Sequence, residues 1–371
     1  MGTIVVHAGM HKTGSSSIQK WLRDHGERLR ADSGIAPLSA KMKPSGEVRL
    51  VVNRGKMTMN SWAVRAHCDE HPEHRERVAS ELCARLDRKA GANAAVVLSA
   101  EAFSHWLTSG DELFLGALNE LAGRHSVLIA CYVRPQHAAL ESAWRSRGYR
   151  SGLPPSRFLE DWGEHLHYRR AVRRVREIAP ALELTPRPFR RDLLEGGNVV
   201  VDFARKFLGL EVSAAEIDDV WRNRGLPLAL ANAMQGAPAP AVDDRSDALD
   251  PHPIGPLRRL AERLELGESE DARRSRLVLQ QACHVRYEDE NRELIRELGW
   301  ATDSWVPVPD DAAGGADGSF EPLDDLWRPR ASAAELALIH RAVAELGAAR
   351  SGDRGAAATS TASADEVEIA E

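Results

Sequence analysis

Residues 4–22 read Ile-Val-Val-His-Ala-Gly-Met-His-Lys-Thr-Gly-Ser-Ser-Ser-Ile-Gln-Lys-Trp-Leu, and this stretch decides the fold. Its first three residues form a β-branched run that is typical of a buried parallel strand. Gly9 and Gly14 permit the close approaches and left-handed conformations of a tight loop. The serines at 15–17 predict a helix start, and residues 18–22 continue that helix with an apolar face. The stretch therefore predicts strand, loop and helix in that order.

A loop between a strand and a helix start is suited to binding a phosphate group. The first N–H groups of a helix have no partner within the helix, and the helix dipole favours an anion at that end. Lys12 adds a full positive charge to this loop. The order differs from the nucleoside-triphosphatase loop G-x-x-x-x-G-K-[ST], because here the lysine comes before the second glycine, Gly14.

A second motif follows another predicted strand at residues 126–133. Arg134 ends that strand, and Ser142 lies eight residues further on, about two turns into the next predicted helix. An arginine guanidinium donates two parallel hydrogen bonds to a phosphate, and a serine adds a neutral donor. Taken alone, the pair does not indicate a phosphate site, because Arg134 also suits a surface charge and Ser142 a bond to its own helix.

Together the two motifs resemble those of sulfotransferases that use 3′-phosphoadenylyl sulfate (PAPS). Lys12-Thr-Gly-Ser-Ser16 is similar to the family's 5′-phosphosulfate loop, and Arg134 with Ser142 is similar to its 3′-phosphate site. The start resembles bacterial members that begin H-K-T-G-[TS]-[TS]-x-x-Q. The resemblance covers residues 1–25 and 94–150 and extends more weakly to about residue 306. It implies a three-layer αβα fold with a mostly parallel central sheet, related to that of P-loop NTPases.

The resemblance also implies a set of site residues and a cofactor. Lys12 is expected to stabilise the leaving phosphate, the product being adenosine 3′,5′-bisphosphate, and no metal is expected to take part. For adenine stacking the sequence offers Trp21, Trp144 and Tyr149 without selecting among them. The residues expected to bind PAPS are His11, Lys12, Thr13, Gly14, Ser15, Ser16, Ser17, Arg134 and Ser142.

Glu101 is the first candidate for the general base that removes the acceptor's proton. It follows the predicted strand at 94–99, and ligands of open α/β sheets bind at the carboxyl ends of the strands. Residues 98–103 resemble the S-x-E-x-F segment in which a glutamate acts as base in carbohydrate sulfotransferases. His105 is the alternative, because cytosolic small-molecule sulfotransferases use a histidine in a comparable place. A glutamate here also suits a plain helix start.

The remaining pattern indicates an α/β protein with a helical C-terminal part. Predicted strands alternate with helices, which favours βαβ units and a mostly parallel sheet. One domain is expected over residues 1–306, with a flexible insertion at 236–256. A C-terminal extension with one helix is expected over 307–349 and a disordered tail over 350–371. The strands are predicted at 4–6, 94–99, 126–133 and 182–189, and late helices at 274–283, 287–298 and 332–348.

Composition narrows the classes of function. The 371 residues carry a net charge of −6, which argues against a general nucleic-acid binder. The four cysteines have no C-x-x-C spacing, which fits a reducing compartment and no zinc site. No run is long and apolar enough for a membrane span, and no signal peptide precedes the first strand, so a cytoplasmic protein is expected.

The predicted function is transfer of a sulfuryl group from PAPS to a hydroxyl of a sugar or another small or glycan acceptor. One alternative is a P-loop kinase or nucleotide hydrolase. The position of Lys12 and the lack of an apolar strand ending in a metal-binding aspartate count against it. Another is a non-catalytic nucleotide-binding module, since a fold does not fix a function. The sequence specifies neither the acceptor nor the oligomeric state.

Overall fold

The computed structural model describes residues 1–10, 12–43, 45–52, 62–148, 151–212, 217, 227–235, 270–301, 318–327 and 336–341. The chain divides into two compact units. The first comprises residues 1–143, 160–223 and 279–319, and the second comprises 144–159, 224–278 and 320–371. The predicted insertion at 236–256, the boundary at 306–307 and the tail at 350–371 all lie outside the described residues.

The first unit contains a six-stranded sheet, and its mostly parallel arrangement confirms the prediction. Its strand order is β3-β2-β4-β1-β5-β6, and only the β2–β3 pair is antiparallel. The four predicted strands correspond to β1, β4, β5 and β6. The strands are β1 (Thr3–Ala8), β2 (Ile35–Met42), β3 (Val48–Val52), β4 (Ala95–Ala100), β5 (Ser126–Val133) and β6 (Glu183–Pro188).

The sequence did not predict β2 and β3. Strand β2 contains Pro37, Ser39 and Lys41, so it lacks the apolar run of a central strand. It pairs with β4 only over residues 35–38 and then with β3 over residues 38–42. Long-range pairing, rather than a local pattern, therefore forms this end of the sheet.

Thirteen helices with assigned bounds, besides the helical residues 336–341, follow the sequence order through the described part of the chain. Asn198 caps one of them and Gly209 ends it in the left-handed conformation. The helices are α1 (Ser15–Asp24), α2 (Gly26–Ser33), α3 (Trp62–Glu70), α4 (Arg75–Gly91), α5 (Ala102–Ser109), α6 (Glu112–Ala122), α7 (Gln136–Trp144), α8 (Pro155–Gly163), α9 (Tyr168–Ile178), α10 (Val199–Leu208), α11 (Leu228–Ala233), α12 (Glu270–Leu298) and α13 (Pro322–Leu326).

Helices cover both faces of the sheet, an arrangement compatible with three αβα layers. Val5, Val97 and Tyr132 belong to an apolar cluster in which α1 and α10 cover one face. Alternate residues point to the other face, where α4 contacts β1 and β4, α6 contacts β5, and α9 contacts β6. Because β1 is flanked by β4 and β5, it lies at the centre of the parallel part of the sheet.

The late helices differ from the prediction. Residues 274–283 and 287–298 form one continuous helix, α12, rather than two. No glycine or proline interrupts residues 284–286, so nothing local ends the helix there. Of the helix predicted at 332–348, residues 336–341 are described and are helical.

The second unit has its own small core around two tryptophans. Trp144 is fully buried, and its ring stacks on that of Trp327 with centroids 5.2 Å apart. The Trp144 indole N–H donates to the side-chain oxygen of Asn232 over 2.9 Å. None of the helices in the described ranges is both long and apolar enough to cross a membrane.

Candidate active site

The loop after β1 is held against the carboxyl end of β4. The backbone N–H of Gly9 donates to the carbonyl of Ala100 over 3.1 Å. Two hydroxyls then close the loop on the carbonyl of Met10, Thr13 Oγ1 at 2.7 Å and Ser15 Oγ at 3.4 Å. Both of these side chains are buried. Their hydroxyls are therefore used in hydrogen bonds inside the loop.

Lys12 has a strained backbone conformation. Its φ is +64°, and it is the one non-glycine residue with positive φ in the described part of the chain. The left-handed region costs a residue with a Cβ about 1–2 kcal/mol, and such strain concentrates at ligand-binding sites. The conformation is supported by Arg134, whose Nη1 donates to the Lys12 carbonyl over 3.1 Å.

Gly9 and Gly14 are required by close contacts. A Cβ on Gly9 would lie 2.5 Å from Ser15 Oγ and 3.3 Å from Cγ of Glu101. Gly14 has a φ of +79°, and a Cβ there would lie 2.8 Å from a methyl carbon of Val199. The two glycines therefore let the loop pack between the candidate base on one side and α10 on the other.

The start of α1 is open to an anion. Its cap residue is Gly14, no side chain caps it, and its first turn contains no acidic residue. Within the described residues, no backbone or side-chain acceptor takes the N–H groups of Ser15 and Ser16. Ser16 is exposed and Ser17 is half-buried, so their hydroxyls are the accessible ones in the loop. The N–H groups at the start of α1 and these two hydroxyls are thus available to an anion.

Arg134 lies at the end of β5, as predicted, and contacts the loop itself. Besides its bond to the Lys12 carbonyl, its guanidinium carbon lies 6.0 Å from the centre of the Phe189 ring. The Arg134 carbonyl accepts from the Tyr168 hydroxyl over 2.9 Å. The sequence did not predict that Arg134 would support the lysine loop, because the contact joins residues 122 positions apart.

Ser142 lies on α7, half-buried, two turns after Arg134. Helical serines often donate to a carbonyl one turn earlier. Among the residues that the structure describes, the Ser142 hydroxyl makes no such bond and has no hydrogen-bond partner. Its hydroxyl is therefore available to a ligand, whereas the predicted role at a 3′-phosphate stays a prediction.

Glu101 occupies the position before α5 but does not cap that helix with its side chain. Instead, the hydroxyl of Ser104 donates to the Glu101 carbonyl over 2.7 Å. The Glu101 side chain packs over Gly9, as the 3.3 Å separation from a Cβ built there shows. The candidate base and the loop that contains Lys12 therefore meet at the carboxyl edge of β1 and β4.

His105 lies one turn further along α5 and lines a small cleft next to the loop. The cleft also contains Met10 from the loop and His165, whose ring meets that of His105 at a centroid distance of 5.4 Å. Burial lowers the pKa of His165 below its usual value. Tyr168 and His165 were not predicted as site residues, since they come from a chain segment with no motif. Glu101 and His105 therefore both lie beside the loop that contains Lys12, and both stay candidates for the base.

A buried carboxylate fixes the start of α10 beside Gly14. Asp202 has an exposed fraction of 0% and accepts from the Tyr132 hydroxyl at 2.7 Å. It also accepts two bonds from Arg187, at 2.7 and 2.6 Å, and one from the Glu195 N–H at 3.0 Å. Burial, helped by Asp202, raises the pKa of Tyr132, so its hydroxyl remains a donor. This network fixes the start of α10, against which Gly14 of the loop packs.

Other expected residues have different outcomes. Trp21 and Trp144 are both buried in apolar cores, so neither residue has a ring face free to stack on adenine. Tyr149 and the expected PAPS-binding residue His11 lie outside the described residues. Within the described ranges, no group of three metal-ligating side chains lies at the loop. That the reaction uses no metal stays a prediction.

Comparison with known proteins adds no relative: no family model, no curated protein and no solved structure matches this chain.

Proposed function

We propose that this chain is a PAPS-dependent sulfotransferase acting on a hydroxyl of a sugar or of another small or glycan acceptor. One observation supports the proposal best. Around a single loop at the centre of the sheet edge lie an uncapped helix start, a strained lysine, an arginine and a carboxylate. Anion binding and proton removal are the two requirements of sulfuryl transfer. A cytoplasmic location belongs to the same proposal.

Each part of the site has a role in this proposal. The N–H groups of Ser15 and Ser16 and the accessible hydroxyls of Ser16 and Ser17 bind the 5′-phosphosulfate. The ammonium group of Lys12 neutralises charge on the departing phosphate. Arg134 and Ser142 bind the 3′-phosphate, and Arg134 also keeps Lys12 in its conformation through the carbonyl bond.

The proposed reaction balances without a further reactant. The acceptor oxygen forms a bond to sulfur while the bond between sulfur and the 5′-phosphate oxygen breaks. Glu101 takes the proton of the acceptor hydroxyl, and His105 is the alternative acceptor of that proton. The products are a sulfate ester and adenosine 3′,5′-bisphosphate.

The test is a thermal-shift titration with adenosine 3′,5′-bisphosphate, ADP and ATP, each with and without Mg²⁺. At a hundred times its dissociation constant a ligand stabilises the fold by about 2.7 kcal/mol. We expect the bisphosphate to stabilise without Mg²⁺ and Ser142→Ala to weaken its binding about tenfold or more. Ser142→Ala is cleaner than Arg134→Ala, because Arg134 also bonds the loop.

The same titration, together with an assay of sulfate transfer, separates the alternatives. Stabilisation by ATP with Mg²⁺ alone would contradict the proposal and favour a kinase or nucleotide hydrolase. Selective binding of the bisphosphate with no sulfate transfer to any of a panel of sugars, phenols and alcohols would favour a non-catalytic module.

A further inference from the structure

A cluster of three histidines and a glutamate lies where α3 gives way to α4, away from the lysine loop in sequence. It consists of His67, His71, Glu73 and His74, which we name the histidine turn. The backbone there is fixed by two bonds, His71 N–H to the His67 carbonyl at 2.8 Å and His74 N–H to the His71 carbonyl at 2.9 Å. Pro72 restricts the chain between them. Because the backbone is already ordered, little conformational entropy would be lost when a ligand binds.

Three ligand atoms of the histidine turn converge. Nδ1 of His71 lies 3.5 Å from Oε1 of Glu73, and Nε2 of His74 lies 3.8 Å from the same oxygen. One ligand atom from each of the three residues lies within 4.8 Å of one from each of the others. Bonds of about 2.0–2.1 Å in tetrahedral geometry place ligand atoms about 3.3–3.4 Å apart. Small side-chain rotations would bring the three atoms to that spacing.

His67 orients the ring of His74. Its Nε2 lies 3.1 Å from Nδ1 of His74, which is a hydrogen-bond distance. This contact turns the other nitrogen of His74, Nε2, towards Glu73. Metal-binding histidines commonly use one nitrogen for the metal and donate the other N–H to a neighbour, which fixes the tautomer. The histidine turn has both halves of that arrangement.

We propose that His71 Nδ1, Glu73 and His74 Nε2 bind a divalent first-row transition metal, with Zn²⁺ as the fitting ion, and that His67 is a positioning residue. Two imidazoles and a carboxylate suit Zn²⁺, and a water completes the tetrahedron. The side chains of His71, Glu73 and His74 are 46%, 66% and 37% exposed, so an ion reaches them from solvent. The bound ion would stabilise the short turn between α3 and α4, because all three ligands lie within residues 71–74.

The test is calorimetric titration of Zn²⁺ into the full chain after treatment with EDTA and removal of the chelator. We expect one ion per chain. His74→Gln and Glu73→Gln should each abolish this binding, whereas His67→Gln should weaken it about 10- to 100-fold. His284→Gln is the matched control, because His284 lies 3.3 Å from Glu288 on α12 and belongs to no group of three ligands within the described ranges. It should leave the binding unchanged.

Two further measurements, the melting temperature in EDTA and the Co²⁺ absorption spectrum, distinguish loss of the site from loss of the fold. Each variant should retain the melting temperature of the wild type in EDTA, which shows that the fold persists. Co²⁺ should give the intense visible bands of a four-coordinate site in the wild type and lose them in His74→Gln. Zn²⁺ binding that persists in His74→Gln, or that falls equally in His284→Gln, would overturn the proposal and show adventitious surface binding only.

Discussion

Helices α1 and α10 begin side by side at the same edge of the sheet, yet their first turns are built in opposite ways. At α10 the side chain of Asn198 accepts from the Val200 N–H at 2.8 Å, and Asp202 binds the preceding segment. At α1 the cap is Gly14, in the left-handed conformation, and no side chain accepts from the first turn. The two starts touch where Gly14 faces Val199.

The difference suits the two helix starts to different roles, α10 to stabilising the fold and α1 to binding an anion. At a capped helix start the side chain accepts from N–H groups of the first turn. The cap adds stability and leaves fewer N–H groups for a ligand. Helix α6 is capped in the same way, by Asp111 on the Phe114 N–H at 3.1 Å. An uncapped start that is held rigid by its neighbours keeps its N–H groups for an anion. We therefore expect changes at α10 to alter mainly stability and changes at α1 to alter mainly activity.

The largest expected effect on stability comes from removing the carboxylate at α10. Asp202→Ala leaves Arg187 and the Tyr132 hydroxyl without their buried partner. Breaking a buried pair on one side costs about 3–5 kcal/mol. Urea unfolding measures the loss. The control Asp192→Ala removes an exposed carboxylate that pairs with Arg190, and it should change stability by less than about 0.5 kcal/mol. Equal losses in both would contradict the role given to Asp202.

The largest expected effect on activity comes from Lys12. Lys12→Gly should lower the turnover of the proposed transfer about 10²- to 10³-fold, the usual loss when one group that stabilises developing charge is removed. It should also raise stability by about 1 kcal/mol, because glycine tolerates the φ of +64°. Lys12→Ala is the matched variant, with the same loss of charge and no relief of strain. If both variants have wild-type turnover, Lys12 is not catalytic.

Acid should weaken the core below both helix starts. Burial lowers the pKa of His7 to about 3, and its ring lies 5.2 Å from that of Phe203 on α10. The folded protein keeps His7 neutral, whereas the unfolded chain takes a proton below about pH 6.5. His7 therefore lowers stability by about 1.4 kcal/mol per pH unit as pH falls from about 6.5 to 3, and has no such effect above 6.5.

Urea unfolding at pH 7.5, 6 and 5 checks this expectation in wild type and His7→Asn. The variant should lose one proton's worth of the pH dependence. It should also be less stable at pH 7.5, because Ser99 loses the partner that lies 2.7 Å away. Parallel pH profiles in the two proteins would show that His7 does not titrate as described.

The smallest expected effect comes from the cap of α10. Asn198→Ala should lower stability by about 1 kcal/mol, the typical value of one side-chain cap. It should leave the affinity for adenosine 3′,5′-bisphosphate unchanged, because the Asn198 side chain accepts from the Val200 N–H of its own helix start. A loss of affinity larger than twofold in Asn198→Ala would show that α10 takes part in binding.

The sequence predicted the parts of this site that depend on local chemistry. Residues 4–22 specify strand, loop and helix because their glycines, serines and apolar periodicity act within a few residues of each other. The bond from Arg134 to the Lys12 carbonyl, the Asp202 network and the contact of Glu101 with Gly9 were not predicted. Each joins residues far apart in the chain, and no local pattern encodes such a contact.

Strand β2, near one edge of the sheet, was missed for the same reason. Strands β1, β4 and β5 are apolar runs buried on both faces, so composition alone indicates them. Strand β2 contains proline and lysine and exists because β3 and β4 pair with it. The histidine turn was likewise missed, because a 3₁₀ turn at Pro72 brings its side chains together without a standard metal-binding spacing.

The most direct test of the account is a crystal structure with adenosine 3′,5′-bisphosphate bound. We predict the 5′-phosphate at the N–H groups of Ser15 and Ser16, within reach of the Lys12 ammonium, and the 3′-phosphate on Arg134 and Ser142. A nucleotide bound elsewhere, or a 5′-phosphate at the capped start of α10 instead of at α1, would contradict the claim that the uncapped helix is the binding site.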